Sequence, residues 1–132
     1  MLDQLKALHD DIVMFIGELE KLTAAPIPKL DAVADTRLRL TRASRRRTTL
    51  LETQIYPHLL DRVPPADRQR VESLRNSGKA RLQASVGHIG QWTLQEVRDR
   101  WSDYGRASRA MRASMRERVE EERAVIYPLL TR

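Results

Sequence analysis

The chain reads as an all-α protein, an up-down-up-down bundle of four long helices, and three observations predict that class. Apolar residues recur at spacings of three, four and seven along most of its length, the period of one helix face. Its prolines (26, 28, 57, 64, 65 and 128) fall between those periodic stretches. One stretch also occurs twice, at residues 45–59 and again at 116–130. With a shift of 71 (Tyr127 minus Tyr56), Arg45 meets Arg116 and Arg47 meets Arg118. Ile55-Tyr56-Pro57 meets Ile126-Tyr127-Pro128, and Leu59 meets Leu130. Two copies of a motif that closes a helical pattern at a proline suggest two similar helix pairs packed face to face.

Helix one carries a stripe through Leu2, Leu5, Ile12, Ile16 and Leu19, with His9 on the same stripe; Pro26 and Pro28 end it. Helix two is expected from Leu30 to Tyr56. Its stripe runs through Val33, Leu40, Ser44, Arg47, Leu51 and Ile55, so Arg47 points the way core residues point, and Pro57 is expected to stop it. Pro64-Pro65 opens helix three, whose stripe is Val71, Leu74, Leu82, Val86 and Ile89, with His88 alongside and Asn76-Ser77-Gly78 a candidate break. Thr93 to Glu96 fits a capping box. From there Val97, Trp101, Tyr104, Ser108, Met111, Met115, Glu122 and Ile126 predict one long helix four ending at Pro128, with Gly105 tolerated inside it.

A chain of 132 residues is expected to form a single domain, residues 1–132, with one core. It has no cysteine, which excludes disulfides, thiolate metal sites and a Cys nucleophile. No basic flank with a following apolar run opens the sequence, and Ile12 to Ile16 is too short to cross a bilayer, so a cytoplasmic protein with no membrane partner is expected. The net charge of +6 is read as arginine standing in for lysine on solvated helix faces, since the chain holds only 4 lysines. No Gly-rich phosphate loop, nucleophile elbow or His-x-x-x-His is present, so the chain is not read as an enzyme.

The pattern of a histidine on helix one, endings of the form His-x-x-x-Glu-x-x-x-x-Tyr/Phe-Pro on helices two and four, and a histidine on helix three is that of the hemerythrin-like, or HHE cation-binding, family. From the His9 region to Leu130 this chain resembles it. The resemblance implies side chains projecting into a bundle axis to hold two iron atoms. His9 stands at the helix-one ligand position, beside Asp10 and Asp11, and His88 near the helix-three one. Counting back from Tyr56, Leu51 takes the Glu place and Arg47 the His place; counting back from Tyr127, Glu122 keeps the carboxylate but Arg118 replaces the histidine. Glu52 and Glu121 are each one residue out of register, turned about 100° around the helix.

A guanidinium offers no lone pair and repels a divalent cation, so a diiron centre is not expected. The expectation is instead a core ion-pair cluster, with Glu122 bridging Arg118 and Arg47 and with His9 or His88 completing the hydrogen bonds. The alternative for the two arginines is that they snorkel to the surface. Function then reads as a non-catalytic binding or regulatory module with no cofactor and an unidentified protein or small-molecule partner. A second reading keeps one iron ion, or dioxygen bound to it, on His9, His88 and Glu122. A third uses Arg37, Arg39, Arg42, Arg45 and Arg46 to bind nucleic acid; it is the least favoured, because the run lacks a recognition motif and interleaved aromatics.

Overall fold

The computed structural model describes residues 1–131, and these are helical with no strand among them. In chain order the elements are α1 (Leu2–Ala24), α2 (Leu30–Leu50), a single π turn (Leu51–Ile55), α3 (Tyr56–Leu60), α4 (Pro65–Gln91), α5 (Leu94–Asp99) and α6 (Trp101–Leu130). Helix α1 packs on α2 and α6, while α4 packs on α6 and α3. No helix of the described residues is long and apolar enough to cross a membrane.

Three expectations about helix ends are corrected. Pro57 does not stop the second helix. The backbone widens ahead of it, with the Tyr56 N–H reaching the carbonyl of Leu51 five residues back, and this π turn carries the chain past the proline ring into α3. Pro128 likewise lies inside α6, which runs on to Leu130; so close to the helix end, the proline removes one backbone bond in the final turn. The predicted fourth helix is broken at Arg100, whose backbone leaves helical values (φ −129°, ψ 50°) and separates α5 from α6. Its start follows the sequence signal, because the Thr93 hydroxyl accepts the Glu96 N–H at 3.2 Å. Asn76-Ser77-Gly78 breaks nothing, and α4 is continuous through it.

The apolar stripes build two clusters rather than one. Leu5, Leu51, Ile55, Tyr56, Val71 and Ile126 belong to the first. Ile12, Ile16, Val33, Trp92, Tyr104 and Val119 belong to the second. Fully burying a side chain of this size contributes about 1.5–3 kcal/mol, so both clusters are substantial. Between them in the chain sit the charged stripe residues. His9 lies between Leu5 and Ile12, Arg47 between Ala43 and Leu50, and Glu122 between Val119 and Ile126. A polar layer therefore separates two greasy ones.

The second half of α4 departs from its expected packing. Val71 and Leu74 are buried, but Leu82, Val86 and Ile89 are exposed. They border an open cleft between α2, α4 and α6 instead of a packed helix face.

Candidate functional site

Glu122 is the centre of the polar layer, with 1% of its surface exposed. His9, also buried, sits with Nε2 2.7 Å from Glu122 Oε1 and Nδ1 2.6 Å from the Tyr127 hydroxyl. The tautomer protonated at Nε2 satisfies both contacts: Nε2–H donates to the carboxylate and Nδ1 accepts from tyrosine. Arg118, one turn back on α6, donates from Nε to Glu122 Oε2 at 2.9 Å. Arg47 reaches in from α2, its Nε 3.7 Å from Glu122 Oε1, an ion-pair distance rather than a hydrogen bond. Burial raises the cost of charging Glu122. The His9 hydrogen bond and the Arg47 and Arg118 charges outweigh it, and the carboxyl is held below its ordinary value.

The rest of Arg118 is anchored on α4. Nη2 donates to the Leu74 carbonyl at 2.8 Å and reaches the Tyr56 hydroxyl at 3.4 Å, and Nη1 donates to Ser77 Oγ at 3.0 Å. Gly78 makes this approach possible. A Cβ there would stand 2.6 Å from Arg118 Nη2, inside any permitted contact. Burial first, then the nearby Glu122 charge, pushes the Tyr56 hydroxyl up to about 12, so it remains a protonated neighbour of the cluster.

Arg47 is held far less completely. Its Nη2 donates to Ser44 Oγ at 3.2 Å, while Nε and Nη1 are buried with no hydrogen-bond partner. It lines a cavity of about 290 Å³ together with Leu51, Tyr56, Leu82, Met115 and Arg118. Two further pairs close the cavity's flank: Arg75 with Glu52 at 2.8 Å and Arg81 with Glu121 at 2.7 Å.

The structure thus brings together Arg47, Arg118, Glu122 and His9, but not His88. That side chain stacks on Tyr104 with ring centroids 6.2 Å apart, beside Trp92. Burial, then the charge of Arg37, lowers its proton affinity. A mononuclear site on His9, His88 and Glu122 is therefore not assembled, and no group of three or more His, Asp or Glu side chains among the described residues is placed to hold a metal ion. Glu52 and Glu121 face α4 arginines, as their register requires. The snorkelling alternative fails for both arginines, whose side chains are only 12% and 5% exposed.

The five-arginine run is divided. Arg37 turns inward to donate to the Trp92 carbonyl at 2.6 Å, Arg39 pairs with Asp35, and Arg42, Arg45 and Arg46 are exposed. Sequence reasoning missed the roles of Tyr56, Tyr127, Ser77 and Gly78. Both tyrosine hydroxyls reach the cluster, Tyr127 at His9 and Tyr56 at Arg118. Their place in the repeated Ile-Tyr-Pro endings was the available signal. Comparison with protein-family models, curated proteins and solved structures finds no match to this chain.

Proposed function

We propose that the chain is a hemerythrin-like, up-down-up-down four-helix bundle whose interior charge cluster takes the place of a diiron centre, and that it serves as a non-catalytic binding or regulatory module. One observation carries the reading: the carboxylate at the remaining ligand position, Glu122, is already engaged by Arg118, His9 and Arg47. Two guanidinium groups within ion-pair range supply no lone pair and oppose a cation electrostatically, so the donor set does not fit iron. It does suit a fixed, polar interior wall beside a cavity. A general acid would need a proton to give and a general base a raised proton affinity, whereas the partners of Glu122 lower its affinity for a proton.

The test is elemental analysis and absorption spectroscopy of protein purified without chelator. Iron well below one atom per chain is expected, before and after incubation with ferrous iron. An oxo-bridged dinuclear iron chromophore at stoichiometric occupancy would overturn the proposal.

A further inference from the structure

We infer that the cleft between α2, α4 and α6 binds a small organic monocarboxylate, its head group meeting Arg47 and its apolar body lying along Leu82, Met111 and Met115. The inference rests on the reading of the chain as a binding module and names the ligand class.

Three features of the cleft converge on that chemistry. The first is charge. In the buried layer Arg47 and Arg118 share one carboxylate, Glu122, which leaves one positive charge in excess there; at the cavity flank the Arg75–Glu52 and Arg81–Glu121 pairs balance, and Lys79 adds an exposed charge at the rim. A single negative charge restores neutrality in that buried layer, whereas a phosphate dianion would exceed it there. The second is hydrogen bonding. A guanidinium with two buried N–H groups lacking acceptors is costly, and a bound carboxylate supplies the missing acceptors after a small turn of the side chain. The third is the wall. Leu82 and Val86 are exposed on α4 and face a cleft completed by Met111 and Met115, apolar surface that a hydrocarbon body would cover.

Size narrows the class. The main cavity of about 290 Å³ lies at the lower end for small-molecule sites, and continues into a second of about 70 Å³ that shares Ser44, Leu82 and Met115. At about 30 Å³ per water, the main cavity holds roughly ten heavy atoms, the size of a medium-chain fatty acid or an arylalkanoate. Methionine on one wall adapts to either shape.

The experiment is isothermal titration of the full chain, as purified, with octanoate, octanol and octyl phosphate, and iron measured on the same sample. Octanoate is expected to bind, with octanol weaker by roughly tenfold or more, the loss of one charge-assisted contact. Arg47→Gln should weaken octanoate about equally while leaving octanol unchanged. Leu82→Gln, at an exposed position where folding is not at stake, should weaken both ligands together. Equal binding of octanoate and octanol, tighter binding of octyl phosphate, no octanoate binding, or no effect of either substitution would each overturn the inference. If Arg47→Gln does not fold, Leu82→Gln and the octanol comparison decide the matter. Stoichiometric iron would instead sink the proposed function, whatever the titrations show.

Discussion

Arg47 and Arg118 occupy the same place in the two copies of the repeated stretch, yet the protein holds them in opposite ways. Arg118 has Glu122 four residues ahead on its own helix, and it meets the Leu74 carbonyl, Ser77 and Tyr56 across the gap that Gly78 leaves open. Arg47 has Leu51 at the corresponding position ahead, so its own helix offers no carboxylate, and it must borrow Glu122 from α6 at 3.7 Å. One arginine is saturated and the other is not. The first ties three elements together, and the second faces a cavity with donors to spare. Identical residues in a repeat thus divide into a structural member and a receptive one, and the local presence of a partner decides which is which.

The comparison breaks most visibly at Arg118. Arg118→Met would leave Glu122 buried with its main cation gone, and removing one partner of a buried pair costs about 3–5 kcal/mol. Urea unfolding followed by circular dichroism measures it, and a loss under 1 kcal/mol would remove Arg118 from its structural role. Acid attacks the same pair from the other side. Glu122 titrates below its ordinary value, so its contribution to stability is present above that value and fades as pH falls through the lowered one. The stability gap between wild type and Glu122→Gln should therefore be wide at neutral pH and close in acid. A gap that stays constant with pH would show that the charge of Glu122 does not stabilise the fold.

Next in size is His9→Leu, which strips one acceptor contact from Tyr127 and one donor from Glu122. Leaving buried groups unsatisfied costs about 1–3 kcal/mol. Nuclear magnetic resonance of the imidazole nitrogens in the wild type should show the proton on Nε2. Smaller again is Gly78→Ala. The new methyl displaces the Arg118 guanidinium, while alanine gains about 1 kcal/mol of helix propensity, so a net loss of about 1 kcal/mol is expected. Net stabilisation would mean that the guanidinium finds other partners without cost.

How far the amino-acid pattern reached follows the same division. Stripes of period 3.6 located α1, most of α2 and α6, because burying one face is what forms those helices. The inward aim of Arg47 and Arg118 was legible for the same reason. The π turn before Pro57 was not, since a proline ordinarily ends a helix and the widened turn that evades it leaves no compositional mark. The break at Arg100 and the exposure of Leu82, Val86 and Ile89 depend on how α4 and α6 sit against α2, which periodicity does not encode. Gly78 looked like a helix breaker and is instead the point where another helix's side chain comes close.

The smallest expected effect is the most discriminating. Arg47→Met keeps the packing of the stem but removes a buried cation that makes only one hydrogen bond, to Ser44. Glu122 still has Arg118 and His9, both at hydrogen-bond distance, so it is not stranded. The lost attraction to Glu122 is offset by the desolvation no longer imposed on Arg47, and replacing a buried ion by an apolar side chain of similar volume is often neutral or stabilising. The unfolding midpoint should therefore move little, by less than about 1 kcal/mol in stability, in contrast to Arg118→Met. If the two substitutions prove equally damaging, Arg47 is a full member of the scaffold, and its unpartnered donors are a cost of folding rather than capacity held for a ligand.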